Sequence, residues 1–344
     1  METMSLDLGS SRPERGIGRR AGLILLLAGL FVIAGTSLFI GRYPAPYWTP
    51  PSLLGSDELA RRLVLSLRLP RLLAAMMMGS SLAAAGLVFQ MVFRNPLVEP
   101  GLLGVSQGAA FGAALSILAL QASPVVTELS AAVFALLGLS LSFLLARRLR
   151  YGGWVLRLIL AGIAVSALFG AGVGILKYAA DPLSELPEIT FWLLGGLWGV
   201  TWRETLILLP PVGLSLILAW AVRWRMNLLT LSDESAISLG SRPARERSLV
   251  LLGAVAAVAA VTAVGGIVGW VGLIIPHVAR RLFGADATHA LPAAILMGGI
   301  FVLVCDTAAR ALLGGEIPLG ILTSFFGALG FALLMMHTGV RLRP

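Results

Sequence analysis

The sequence predicts an all-α polytopic membrane protein of about ten transmembrane helices. Three observations carry that expectation. Of the 344 residues, 58% are apolar and 12% charged, whereas soluble domains hold about 45–50% apolar and about 25% charged residues. Mean hydropathy is +0.91. The apolar residues fall in runs of about 20, the length that crosses a hydrocarbon core at ~1.5 Å per residue. The 40 glycines suit membrane helices, which must approach closely without a hydrophobic drive between them.

The first 20 residues are polar and include Arg12, Arg15, Arg19 and Arg20, so 1–20 reads as a cytoplasmic tail. The run from Ala21 to Ile40 is too long for a signal-peptide core and lacks a small-residue cleavage site, so it reads as the first span. Further spans are expected at 71–93, 102–121, 125–146, 157–177, 205–222, 248–267, 270–283, 290–308 and 318–338. Together they make one transmembrane domain over 21–340. The stretch 187–200 is apolar but short and glycine-broken, and is expected to form a re-entrant or partial helix. No internal repeat, low-complexity tract or separate soluble domain is evident.

Charge tests the topology. Ten spans place both termini on one side, and the segments then assigned to the cytoplasm hold most of the arginines. These are Arg147, Arg148 and Arg150; Arg223 and Arg225; Arg242, Arg245 and Arg247; Arg280 and Arg281; Arg341 and Arg343. The segments near Gln121, Asp181 and Gly266 hold almost none, as the positive-inside rule requires. The net charge of +9 therefore reports topology, and its scatter excludes a nucleic-acid face. Arg61, Arg62, Arg68, Arg71 and Arg310 break the pattern on the outer side. Physically they read as interfacial residues reaching lipid phosphates, with a basic patch for an acidic partner as the other reading.

Four further features bear on chemistry. Cys305 is the single cysteine, which leaves no internal disulfide or thiolate cluster. His277, His289 and His337 have no metal-ligand spacing, and His277 reads as a helix-end residue rather than a proton relay. Asp306 and Arg310 are four apart and can pair on one helix face; Lys177 lies next to Asp181. No row of buried carboxylates, Walker A loop, zinc-protease motif or serine elbow is present. The chain shows no engine of its own.

Two segments outside the spans are more densely furnished. The turn Arg94-Asn95-Pro96-Leu97-Val98-Glu99-Pro100 holds a cation, an amide, an anion and two prolines, far more than a reversal needs. In the long 223–247 connection, Ser232 can cap a short helix with Asp233 and Glu234 in its first turn and Gly240 at its stop. That helix, about 232–240, is either a solvated connector or a lever for a soluble partner.

These motifs, in order, resemble a known family. Leu67-Arg68-Leu69-Pro70-Arg71, Arg94-Asn95-Pro96-Leu97-Val98-Glu99-Pro100-Gly101, Trp192-Leu193-Leu194-Gly195-Gly196, Glu234-Ser235-Ala236-Ile237-Ser238-Leu239-Gly240, Gly272-Leu273-Ile274-Ile275-Pro276-His277 and Glu316-Ile317-Pro318-Leu319-Gly320 are similar to the FecCD-type permeases of ABC importers for iron–siderophore, haem and cobalamin. The resemblance runs from about Arg61 to the C-terminus.

The resemblance implies a type II importer permease fold in the bacterial or archaeal inner membrane. It implies a homodimer around a translocation path, two cytoplasmic ATPase subunits below and a substrate-binding protein outside. No cofactor is expected on this chain, and ATP and magnesium belong to the ATPase. Arg68, Arg71 and Arg310 match arginines that dock the binding protein. Asp233, Glu234, Ala236, Leu239 and Gly240 match the helix that couples to the ATPase. Asn95, Pro96 and Leu97 match a cytoplasmic gate. Val155 and Leu156 match a second gate only loosely, since the family's hydroxyl residues are missing there. Similar permeases also serve molybdate-type oxyanions. An ion-coupled carrier acting without an ATPase is the alternative; a membrane-embedded enzyme would need paired catalytic groups at one depth, and none is found.

Overall fold

The computed structural model describes residues 18–44, 46–120 and 123–337. Arg12, Arg15, Gln121, Arg341 and Arg343 lie outside the described residues. The helices are α1 (Arg19–Phe39), α2 (Leu53–Ser56), α3 (Glu58–Arg62), α4 (Leu69–Val92), α5 (Val105–Leu120), α6 (Pro124–Arg148), α7 (Trp154–Ala179), α8 (Glu185–Leu194), α9 (Trp202–Leu229), α10 (Asp233–Ser238), α11 (Pro243–Gly265), α12 (Val271–Phe283), α13 (Ala287–Ala311) and α14 (Leu319–His337). The end of α9 meets the start of α13, where Asn227 bonds Asp286 at 2.8 Å and accepts the Ala287 N–H at 2.9 Å. This is the end of the bundle that carries α10. The end of α1, the start of α4 and the end of α13 form the far end.

Eight helical segments are long and apolar enough to cross a bilayer among the described residues. Two of the ten expected spans are shorter. α5 has 16 residues, because a 3-10 turn over Pro100–Leu103 stops at Gly104 with φ +80°. α12 has 13 residues, about 20 Å at ~1.5 Å per residue. It starts at Trp270 in the left-handed region and stops at Gly284, φ +90°, so 270–283 is a half-length helix rather than a full span. The expected partial helix at 187–200 is α8, ten residues long and ended by Gly195 at φ +67°.

The second span starts earlier than expected. Instead of beginning at Arg71, the helix runs unbroken for 35 residues from Glu58 to Val92. Asp57 caps it, accepting the Leu59 and Ala60 N–H groups at 2.9 and 3.3 Å, which satisfies two donors a helix start leaves over. The segment Leu63–Arg68 is wound as a π-helix directly before Pro70. Proline has no N–H to give and crowds the preceding turn; the wider winding carries the helix past it.

The α4 segment is the hub of the core. In the most apolar part of its span 78% of the residues are buried, against 11% for α1. It packs on α9, α11, α12 and α13. Glycines set the two closest approaches. A Cβ on Gly79 would fall within 3.0 Å of the Gly298 carbonyl oxygen, and one on Gly86 equally close to that of Gly272. Backbone lies on backbone at both points, which maximises dispersion contact where no hydrophobic effect operates.

Candidate gate and coupling site

The furnished turn begins with a Schellman motif at the end of α4. The Arg94 N–H bonds the Met91 carbonyl at 3.3 Å and the Asn95 N–H bonds that of Gln90 at 3.1 Å. The residue after the C-cap is left-handed in this motif and is usually glycine. Here it is Arg94, φ +51°, a conformation that costs a side-chain-bearing residue roughly 1 kcal/mol. Asn95 Oδ1 then accepts the Leu97 N–H at 2.9 Å, an Asx turn. Pro96 fixes its own φ between them. The polar residues thus build the turn, and Leu97, 57% exposed, is what it presents.

The turn is held on three sides. Phe93 stacks on Trp154 at the start of α7, ring centroids 6.5 Å apart and 13° from parallel. The Glu99 carboxylate lies beside the Trp270 backbone N–H. The Gln90 amide donates to the Gly272 and Leu273 carbonyls at 3.3 and 3.1 Å, and Arg280 donates to its oxygen. The Phe93–Trp154 stack brings the 155–156 segment beside the turn, with Val155 half-buried and Leu156 exposed. A groove of about 660 Å³ opens next to Leu97, lined also by Glu99, Trp270, Leu273, Gly320 and Ser324.

α10 forms as the sequence requires. Ser232 accepts the Ser235 N–H at 3.2 Å, and Gly240 at φ +80° ends the turn. Asp233 pairs with Arg247 at 2.7 and 3.2 Å and with Arg94 at 3.5 Å. Ala236 is fully buried against the bundle. It packs α10 down and presents no surface of its own. Ile237 and Leu239 are each 61% exposed, and Glu234 is exposed beside them. Ile237 lies outside the residues the resemblance matched to coupling. Its spacing from Glu234, three residues on a helix, places both on one face.

Hydrogen bonds from Arg247, then the charges of Arg247 and Arg94, hold the Asp233 carboxyl below its usual range. A group lowered in the folded state stabilises above its ordinary range and loses that stabilisation as pH falls through the depressed value. The α10 anchor is therefore expected to hold unchanged from about pH 8 to about pH 5 and to loosen only below about pH 4. Deuterium exchange of the 232–240 amides, corrected for intrinsic rate, checks this.

At the far end, the three expected docking arginines are not free cations. Arg71 gives Nε to Asp306 at 2.9 and 3.2 Å and Nη1 to Glu316 at 2.8 and 2.9 Å. Its side chain is 11% exposed and that of Asp306 1%. Arg310 donates to the Ile40 carbonyl at 2.6 Å and to Ser37, with Asp306 at 3.8 Å. Arg68 donates to the Leu38 carbonyl at 3.3 Å and to Thr49 at 2.9 Å. α1 has no basic residue in its last turn, so two arginines from other helices satisfy its orphan carbonyls. Arg62 pairs with Glu58 on the same helix face. The expected Asp306–Arg310 pair is present, and Asp181 accepts the Leu183 and Ser184 N–H groups at 2.8 and 3.0 Å. His289 lies 3.9 Å from Asp286. Among the described residues no three His, Cys, Asp or Glu side chains converge on a metal site.

The comparisons agree with this architecture. The model of the FecCD transport family matches residues 26–337. The molybdate import system permease protein MolB of Haemophilus influenzae is 38% identical, over 91% of this chain and 94% of that protein. The Fe(3+)-citrate import system permease protein YfmE of Bacillus subtilis is 36% identical over the same shares. A solved ABC transporter of metal-chelate type, in an inward-facing conformation, superposes with a TM-score of 0.86 at 37% identity, over 92% of this chain and 99% of that one. With a bundle of this topology and a family match that spans almost all of it, the chain belongs to the FecCD transport family and is a multi-pass permease of the metal-chelate ABC importer type.

Proposed function

We propose that the chain is the membrane half of an ATP-driven importer and works as a homodimer by alternating access. The observation that carries this reading is α10. It is a capped helix outside every span, and it shows two apolar side chains, Ile237 and Leu239, each 61% exposed. Exposed apolar residues on a rigid, capped element mark an interaction site. A cytoplasmic ATPase subunit is the proposed partner. The arginines at the ends of α6, α9 and α12 and at the start of α11 support an α10 end in the cytoplasm.

Two copies would face each other across the groove beside Leu97. α14 leans on α8, α12 and α13 and leaves Phe325, Leu329 and Met336 exposed. A second copy closing over that face turns an open groove into a path. ATP binding would draw the two α10 helices together and switch the gate at Asn95–Leu97, with 155–156 as a second constriction. A binding protein would deliver the ligand at the far end. There an acidic docking group reaches Arg71 only by replacing Glu316, whose side chain is 41% exposed.

The cargo proposed is a metal chelate, ferric citrate being one such class. Molybdate is a second cargo, kept by the 38% identity to MolB. The test is uptake into proteoliposomes holding the chain, its ATPase and its binding protein. Labelled ferric chelate or molybdate should accumulate only with all three and ATP. Accumulation by this chain alone under a proton or sodium gradient would establish the secondary-carrier reading instead. Replacing Glu234 and Leu239 together by alanine should leave basal ATP hydrolysis in place while uptake per ATP drops by about tenfold or more, the loss of ~1.4 kcal/mol of coupling. Full uptake in that variant removes α10 as the lever.

A further inference from the structure

We propose that Arg94 is the strut that carries movement of α10 into the gate turn. The inference rests on the reading of α10 as the coupling helix and of Asn95–Leu97 as the gate, and names the link between them.

Three observations converge on this side chain. The first is its reach. Nε of Arg94 donates to the Leu229 carbonyl at 3.4 Å, and Nη2 donates to the Leu231 carbonyl and lies 3.5 Å from Asp233 Oδ1. One guanidinium thereby holds the last residue of α9, the linker and the first residue of α10. The planar fork of arginine suits several acceptors at once, where lysine offers one point charge. The second observation is its backbone. Arg94 occupies the left-handed position of a Schellman motif, φ +51°, where glycine fits without strain. A strained residue held in place by its surroundings points to a use for its side chain. The third is its neighbour. Arg94 is bonded directly to Asn95, whose side chain shapes the turn that presents Leu97.

The surrounding anchors direct the motion. Arg247 also grips Asp233, at 2.7 Å, but it belongs to α11 and ties α10 to that helix, not to the turn. On the other side, Gln90 fixes the end of α4 to the Gly272 and Leu273 carbonyls. A displacement of α10 pulls on Arg94 while α4 is pinned one turn earlier. The backbone from 94 to 97 takes up the difference.

The test uses the full chain in complex with its ATPase in nanodiscs. Spin labels are placed on cysteines introduced at Ser238, reporting the distance between the two α10 helices, or at Leu97, reporting the gate. The central variant is Arg94→Gly, which keeps the left-handed turn and relieves its strain while deleting the strut. In the unsubstituted protein ATP should shift both distances. In Arg94→Gly the 238 distance should still shift, the 97 distance should not, and uptake per ATP should fall about 2- to 30-fold, the range expected for a residue on a coupling route. Arg94→Lys should restore part of the gate shift. An unchanged 97 shift in Arg94→Gly overturns the strut while leaving the roles of α10 and the gate intact. Absence of the 238 shift in the unsubstituted protein overturns the strut together with the reading of α10 on which it rests.

Discussion

Asp306→Leu is expected to destabilise the protein by about 3–5 kcal/mol, the cost of breaking a buried ion pair from one side. Its carboxylate is 1% exposed and faces Arg71 at 2.9 Å and Arg310 at 3.8 Å. Removing it takes the buried counter-charge from two guanidinium groups with little access to water, leaving Arg71 on Glu316 alone and Arg310 on Ser37 and the Ile40 carbonyl. A domain's whole stability is about 5–15 kcal/mol, so little folded protein should survive mild heating in detergent. The control is the double variant Arg71→Met with Asp306→Leu. Apolar replacement of a whole buried pair is often neutral. The freed Glu316 is 41% exposed and turns to water, while Arg310 loses Asp306 but keeps Ser37 and the Ile40 carbonyl, so the double variant should recover part of the loss. A thermal midpoint for Asp306→Leu equal to that of the unsubstituted protein would show that the network is idle.

The second large effect is steric. A Cβ on Gly86 would come closer than 3.0 Å to the Gly272 backbone, a distance real Cβ atoms essentially never show. Backbone yields far less readily than the tip of a long side chain, so α4 and α12 would have to separate along their length. Gly86→Val should cost about 3 kcal/mol or more, at the upper end for overpacked cores. Gly29, with nothing within 4 Å of its Cβ position, supplies the comparison. Gly29→Ala should be tolerated within about 0.5 kcal/mol. Equal thermal midpoints for Gly86→Val and Gly29→Ala would refute the close packing.

Much of this molecule was legible in its residues because bilayers impose simple lengths. Apolar runs, the arginine bias and the caps of α10 gave the helices and their order. What escaped has local physical causes. Pro70 reads as a helix boundary, and nothing in the string Leu63–Arg68 announces a π turn that absorbs it. Trp270 and Arg94 adopt left-handed backbone that sequence assigns to glycine. α12 carries His277, Arg280 and Arg281 toward its end and covers the 270–283 stretch marked out by the residues, so its shortness was already legible there. Arg68 and Arg310 looked outward because their partners are carbonyls of α1, and backbone acceptors leave no mark in sequence. That Ala236 is buried and Ile237 exposed escaped as well, because the face of a six-residue helix is set by its rotation on the bundle, not by its composition.

The glycine contacts also say where this machine bends. Two helices touching backbone to backbone have no side chains between them to re-pack, so sliding would break contact at once. α4 is joined in this way to α12 through Gly86 and to α13 through Gly79, which makes the three a single packed piece. Under the alternating access proposed above, the movement falls at the margins, where α14 and α8 meet that piece by thinner contacts. On that proposal the permease is less a bundle that reshapes itself than a fixed frame with hinged panels.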